Sequence, residues 1–146
     1  MTWLKTTLLI TVAIAAAWAV MNYLGEEGYT RLTAITLETT RKLIDGIKKI
    51  KGLRILGSPD MTVLAFTSDG PDIYTVADAL DVLGWYPDRQ QEPPALHLMV
   101  TPVHEGVAGQ FLADLEQARE TAAAAGPSET GARPTYGMAS TPREAG

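Results

Sequence analysis

An uncharged apolar run near the start of the chain constrains the fold more than any other feature. From Thr7 to Leu24 the sequence TLLITVAIAAAWAVMNYL carries no charge. A helix of this length comes close to crossing the roughly 30 Å of hydrocarbon in a bilayer. The run is also rich in alanine, which is only mildly hydrophobic, so it equally suits a helix buried between protein layers. Hydropathy alone leaves a membrane span and a buried helix open.

A signal peptide is a third interpretation of this run, and the flanking residues favour it less. Lys5 alone makes a weak positive start, and the apolar region is long for a signal peptide. No clear A-x-A cleavage site follows it. The choice between the first two interpretations therefore needs information beyond hydropathy.

Length and composition predict one packed domain. A chain of 146 residues, 46% of them hydrophobic, can bury one ordinary core and leaves no room for a second full-sized domain. The sequence has no cysteine, which excludes disulfides and thiolate metal ligands. Metal chemistry is therefore not expected.

Basic residues cluster in one short stretch of a chain with a formal net charge of −5. The stretch has no interleaved aromatic residues and no glycine-rich RNA motif, so it predicts a solvated helix face and no nucleic-acid partner. The clustered residues are Arg31, Arg41, Lys42, Lys48, Lys49, Lys51 and Arg54.

Hydrophobic periodicity after the apolar run predicts the element order α, β, β, α, β, α. The first of these helices has an apolar stripe at Leu32, Ile35, Thr39, Leu43, Ile47 and Ile50, and the last has one at Ala108, Phe111, Leu115, Ala118 and Ala122. Glycines interrupt the chain between Gly25 and Gly28, Asp72 is placed to cap a helix, and Gly84 is placed to end it. Residues 85–94 are predicted to form a polar, proline-rich loop. The predicted helices are residues 7–24, 29–50, 73–83 and 101–125, and the predicted strands are residues 53–56, 61–68 and 95–101.

These elements predict an α+β fold with a small, three-stranded, mainly antiparallel sheet flanked by helices and preceded by a long apolar helix. Both faces of the strand at residues 61–68 are largely apolar, so we expect both faces to be covered. The predicted divisions are the apolar helix at residues 1–27, the α+β domain at residues 28–125 and a flexible tail at residues 126–146, which is rich in Gly, Pro, Ser and Thr.

The sequence contains no strong catalytic motif. No phosphate-binding glycine loop follows a strand, and no G-x-S-x-G elbow occurs. His97 lies mid-strand, where it either lines a pocket or, more commonly, serves as a hydrogen-bonded structural histidine. His104 and Glu105 lie at a helix start, where we expect the glutamate to interact with the first turn. Two histidines without further ligands do not make a zinc site.

Four stretches between about Ile14 and Ala125 form a pattern known from one family. They are AAAWAVMNYLGEEGYTRL, KGLRILGSPDMTVLAF, DIYTVADALDVLGWYPDRQQEPPALHLMVTPVHEG and FLADLEQA. In order and spacing they resemble the C-terminal domain of the sphingosine-1-phosphate-lyase-like branch of the group II decarboxylases, which depend on pyridoxal 5'-phosphate (PLP). The tail motif PTYGMAS is also similar to tails of bacterial members.

The resemblance implies the small domain of an aminotransferase-like fold, packed in a homodimer against a large domain that binds PLP and supplies the Schiff-base lysine. Lys5 does not stand in a matching lysine motif, so we expect the chain alone to be inactive and not to bind PLP, with no catalytic, cofactor-binding or metal-binding residue of its own. The implied function is to close one side of the active-site cleft of a cytoplasmic carbon–carbon lyase or carboxy-lyase. The candidate residues near the substrate are Arg89, Gln91 and His97.

The resemblance also bears on the apolar run, because the matching helix in the family is a buried one that connects the two domains. It therefore favours burial over membrane insertion. The first dozen residues have no counterpart in the family. A truncated or misassigned reading frame, one half of a split enzyme, and a non-enzymatic interaction domain anchored in a membrane through the run from Thr7 to Leu24 are the alternatives that the sequence leaves open.

Overall fold

The structure of the protein is a computed structural model that describes residues 2–126. Except for Gly126, the predicted tail and its PTYGMAS motif therefore lie outside the described residues. The chain divides into two compact units, residues 1–35 and residues 36–146. The predicted boundary after residue 27 stays a prediction.

A long helix, α1 (Thr2–Lys49), contains one break in its helical geometry. The break lies at Gly25, whose φ of 58° and ψ of −175° form a conformation that is essentially restricted to glycine. The interruption predicted after Leu24 is thus confirmed, and Gly25 is the residue that causes it.

The C-terminal part of α1 is amphipathic. Leu43, Ile47 and Ile50 lie at helical spacing and are buried, as the predicted stripe requires. All seven clustered basic residues are exposed, in agreement with a solvated face. Gly52 follows with a φ of 82°, which lets the chain turn into the first strand.

The sheet has four antiparallel strands in the order β1-β2-β4-β3. The fold class is confirmed, but the sheet contains one strand more than the three expected. The additional strand lies in the segment predicted to be a loop, where three polar residues pair with β4. The strands are β1 (Leu53–Leu56), β2 (Val63–Ser68), β3 (Asp88–Gln90) and β4 (Ala95–Met99).

Two further helices complete the domain. In α2 (Ile73–Val82) the Asp72 side chain accepts a hydrogen bond from the Thr75 backbone N–H at 3.1 Å, which confirms the predicted cap. The last helix, α3 (Ala108–Ala125), begins later than predicted, because Pro102–His104 form a separate 3₁₀ turn. The predicted stripe of α3 is buried in full: Ala108, Phe111, Leu115, Ala118 and Ala122.

One face of the sheet forms the core. Strand pairing places Leu64 opposite Leu98 and Phe66 opposite Leu96, and these residues join the buried side chains of the helices in one hydrophobic cluster. Burial of this kind contributes roughly 25 cal/mol per Å² of apolar surface.

The other face of the sheet is exposed at one end only within the described residues, because Thr67 is 7% exposed and its hydroxyl donates to the Pro94 carbonyl. There the pairing sets Val63 opposite Met99 and Ala65 opposite His97. Val63 is 43% exposed and Met99 is 56% exposed. The expectation that both faces of the second strand are covered is therefore wrong at Val63 but not at Thr67, because the three helices contribute their buried stripes to the same core and leave the Val63 end of the other face exposed.

Candidate functional site

A cavity of about 390 Å³ lies in the unit formed by residues 36–146. β3 pairs with β4 only as far as His97, so the end of β4 stays open on that side and forms one wall of the cavity. Helices α1 and α3 and the segment before β3 supply the other walls. The lining residues are mostly apolar, with the exceptions of Asp88, His97 and His104.

Trp85 holds one wall of the cavity in place. Its indole N–H donates to Asp114 Oδ2 at 2.8 Å, and its ring packs edge to face on Phe111 with centroids 5.2 Å apart. An edge-to-face pair of this kind contributes about 0.5–1.5 kcal/mol beyond the area that it buries. Trp85 therefore attaches the segment that leads into β3 to α3 through one hydrogen bond and one aromatic contact.

His97 lines the cavity, in agreement with the pocket interpretation. It is paired in the sheet with Ala65 on β2 and with Asp88 on β3, which places it on the open face. Its Nδ1 lies 3.7 Å from Asp88 Oδ2. This distance is too long for a hydrogen bond but suits an ion pair whenever the imidazole is protonated.

His104 also lines the cavity, and it shapes the turn that precedes α3. Its Nδ1 accepts a hydrogen bond from the Thr101 backbone N–H at 2.8 Å. Because Nδ1 is an acceptor here, the neutral ring carries its proton on Nε2. In this contact the imidazole of His104 caps the turn. We had expected Glu105 to make the interaction with the first turn.

Arg89 lies on the core face of the sheet, away from the cavity lining. It pairs with Leu96 across the strands and is almost completely buried. Its Nη2 lies 2.7 Å from Asp78 Oδ1 and 2.8 Å from Asp81 Oδ2, both on α2. Two carboxylates on one guanidinium join β3 to α2, which explains why a short polar segment forms a strand.

Gln91 follows β3 directly, is half-buried and does not belong to the residues that line the cavity. Beside it, the Tyr74 hydroxyl donates to the Gln90 carbonyl at 2.8 Å. Burial of the Tyr74 ring and the nearby Asp72 carboxylate raise the pKa of this hydroxyl above its ordinary value, although Arg89 acts in the opposite direction. The three residues predicted to lie near the substrate are therefore close in sequence, but only His97 faces the cavity.

Sequence reasoning did not single out Trp85, Asp88 or Phe111 as site residues. Trp85 could have been identified from the sequence, because it lies in the third of the four stretches that resemble the family. Phe111 was predicted to face the core, and a residue at the edge of a core is well placed to line a cavity. Asp88 has no such signal, because its position follows from the pairing of β3 with β4.

The chain is similar to curated enzymes, although no family model matches it. It is 41% identical to sphingosine-1-phosphate lyase of Arabidopsis thaliana over 86% of the chain. It is 32% identical to a probable L-tyrosine/L-aspartate decarboxylase of Methanothermobacter thermautotrophicus over 72% of the chain. The chain spans 23% of the first protein and 29% of the second, or about a quarter of the relatives that it matches.

Solved structures agree with this similarity. The structure of sphingosine-1-phosphate lyase from Burkholderia pseudomallei superimposes with a TM-score of 0.73 and is 41% identical, covering 77% of this chain and 26% of that one. Other similar structures at 17% identity show the fold alone, and they include a C-DES mutant with glycine covalently linked to the PLP cofactor. The antiparallel sheet with its helices is thus a domain of the fold type I class of PLP-dependent enzymes.

Within that class, the chain belongs to the family of sphingosine-1-phosphate lyases and related decarboxylases, and it corresponds to their C-terminal domain. The resemblance inferred from the four sequence stretches is confirmed.

The residues that line the cavity do not fit PLP. That cofactor needs a lysine amine for its aldehyde and hydrogen-bond donors for its phosphate. Among the described residues that line the cavity there is neither a lysine nor an arginine. A carboxylate and two imidazoles in an apolar wall do not supply these groups, so no catalytic step through PLP is assigned to this cavity.

Proposed function

We propose that the chain is the small domain of a PLP-dependent carbon–carbon lyase or carboxy-lyase, and that it closes one side of an active-site cleft whose PLP and Schiff-base lysine belong to a large domain. Support comes from the open sheet face, where Val63 and Met99 are exposed opposite each other. Large apolar side chains in a contiguous exposed patch mark an interaction surface. The chain spans only about a quarter of these relatives, so the rest of a relative is large enough to include a domain that covers this surface.

In this proposal the large domain covers the open sheet face, and a homodimer of such pairs forms the intact cytoplasmic enzyme. His97 is the first residue to test for substrate contact, because it lies on the open face and lines the cavity. Arg89 acts on the site by positioning β3 through its two carboxylates. Gln91, in the turn after β3, is the third residue to test.

Reconstitution tests the docking surface. The chain is mixed with a separately produced large domain of a related lyase, and binding and PLP-dependent turnover are measured. We expect wild type to bind and Val63→Asp to lose binding by at least tenfold, because the charge would be buried without a partner. Val82→Asp is the matched control, since Val82 is 87% exposed on α2 and the same substitution there meets water. Equal binding by the two variants would contradict the proposal.

The chain alone provides a second test. With PLP added, we expect no stable internal aldimine, which would absorb at about 420 nm. Reduction with borohydride and mass spectrometry then shows whether any lysine is labelled stoichiometrically. An aldimine band that only the replacement of Lys5 abolishes would refute the proposal, because the chain would then carry its own Schiff-base lysine.

A second candidate function is a membrane-anchored interaction domain without catalysis. The exposed apolar part of α1 favours it, since a helix that meets the length and composition needed to cross a bilayer lies there. Reconstitution separates the two functions, because an interaction domain without catalysis would restore no turnover to a large domain.

A further inference from the structure

The cavity beside β4 has an apolar wall that contains several aromatic rings. Its volume of about 390 Å³ suits a small organic ligand, and a mostly apolar lining with a few polar groups is typical of such sites. The aromatic lining residues are Trp85, Tyr86 and Phe111. The faces of aromatic rings carry partial negative charge and attract cations. The wall therefore suits a ligand with an apolar body and a positive charge.

Asp88 supplies the negative charge of the cavity. Among the described residues that line it there is neither a lysine nor an arginine, and Asp88 is the one carboxylate. The lining also contains the imidazoles of His97 and His104. Histidine ordinarily loses its charge between about pH 5 and pH 8. Above this range the lining is anionic, so it repels an anionic ligand and attracts a cationic one.

The Asp88 carboxylate is held on the cavity side of the sheet. Strand pairing sets Asp88 opposite His97, and its side chain is 34% exposed. Its Oδ2 lies 3.7 Å from His97 Nδ1, which is beyond the range of a hydrogen bond. The guanidinium of the next residue, Arg89, lies on the opposite face and pairs with Asp78 and Asp81. Asp88 is therefore a positioned acceptor for a cationic donor that enters the cavity.

We propose that this cavity binds a small apolar primary amine in its protonated form, with the ammonium group at Asp88 and the apolar body against Trp85 and Phe111. The amine is held by charge and by apolar contact, and no covalent bond forms or breaks. The inference uses only residues of this chain, so it stands or fails independently of the proposed enzymatic function.

Three probes of similar shape test the charge preference of the cavity: 2-phenylethylamine, 2-phenylethanol and 3-phenylpropionate. Binding to the full chain is followed through the fluorescence of Trp85, with Trp3 and Trp18 replaced by phenylalanine. At about pH 8.5 histidine is ordinarily neutral and a primary amine is still protonated. We expect the amine to bind about tenfold more tightly than the alcohol, and the carboxylate to bind least. Equal affinities for the three probes, or no saturable binding of the amine, would overturn the inference.

Substitutions separate the charge of Asp88 from the rest of the cavity. Asp88→Asn should remove the preference for the amine and leave the affinity for the alcohol within about threefold, because the apolar wall is unchanged. Asp60→Asn is the matched control, since Asp60 is exposed between β1 and β2 and is not a described lining residue. This control should bind all three probes like wild type. An amine preference that survives Asp88→Asn, or that Asp60→Asn removes equally, would contradict the proposal.

A second variant covers the case in which Asp88→Asn disturbs β3 and loses the alcohol as well. Met99 lines the cavity and is 56% exposed, so a longer polar side chain is tolerated there. Met99→Lys adds a cation and leaves Asp88 in place. It should weaken binding of the amine about tenfold and strengthen binding of the carboxylate. Unchanged selectivity in this variant would overturn the inference.

Discussion

The first part of α1 and helix α2 are both apolar, but their apolar residues are distributed differently. In α2, Ile73, Val76 and Leu80 are buried at helical spacing while Val82 is 87% exposed. Residues 5–23 of α1 have no buried side. The distribution of apolar surface, more than its amount, therefore decides whether a helix is covered within its own chain. An amphipathic helix joins the core, whereas a uniformly apolar one needs a partner.

The largest expected difference between the two helices is in the loss of unfolding free energy when a leucine of each is replaced by alanine. Leu80 is fully buried and Leu9 is 71% exposed. We expect Leu80→Ala to lower the free energy of unfolding by about 3–5 kcal/mol, because it leaves a cavity in the core. Leu9→Ala should change it by less than about 0.5 kcal/mol. Urea denaturation followed by the fluorescence of Trp85, with the other tryptophans replaced by phenylalanine, measures both. Similar losses of unfolding free energy in the two variants would contradict the proposed difference between the two helices.

A smaller difference in unfolding free energy is expected when a buried polar contact in the domain and an exposed one in α1 are removed. Arg89→Met removes the cation between Asp78 and Asp81, and we expect a loss of about 2 kcal/mol, since both carboxylates keep part of their hydration. Thr11→Val removes a bond within α1 and should leave the midpoint of urea denaturation unchanged. As a control, Asp78→Asn and Asp81→Asn together should reduce the cost of Arg89→Met. A purely additive triple variant would mean that the carboxylates do not act through Arg89.

The smallest expected effect is on the pH dependence of stability, and it is tested with one tyrosine on α2 and one on α1. Because the folded-state pKa of Tyr74 is raised, the folded chain binds more protons than the unfolded chain above about pH 10. Stability should therefore fall as the pH rises through this range. Tyr74→Phe should cost about 1 kcal/mol at pH 8 through the lost bond to Gln90, and should weaken the alkaline decline.

Tyr23→Phe is the control for this measurement, because the Tyr23 ring is 89% exposed. Denaturation midpoints at pH 8 and pH 10.5 should match wild type. An alkaline decline that persists undiminished in Tyr74→Phe would assign it to another group.

Sequence periodicity predicted much of the fold, and the helices show why. The buried stripe of α3 matches the prediction residue for residue, and the Asp72 cap and the Gly25 break also lie where they were predicted. These features depend on neighbours within a few positions, so a local pattern is enough to identify them.

Features that depend on distant residues were missed. Strand β3 has no alternating pattern, and it forms because β4 pairs with it and because α2 supplies two carboxylates to Arg89. The late start of α3 follows from the turn that His104 caps through Thr101. Of the candidate site residues, His97 could be placed beside a pocket from its strand position, but its neighbour Asp88 could not.

The amino-acid sequence by itself determined the family, the α+β class, the break at Gly25 and the uniformly apolar start of α1, because each is encoded in residue types and short spacings. Only the tertiary structure decided that one face of the sheet stays exposed at Val63 and Met99, that Arg89 faces the core and that the cavity is lined by His97, His104 and Asp88. Strand register sets these positions. A shift by one residue would turn every side chain of a strand to the opposite face, and the register follows from contacts between residues far apart in the chain.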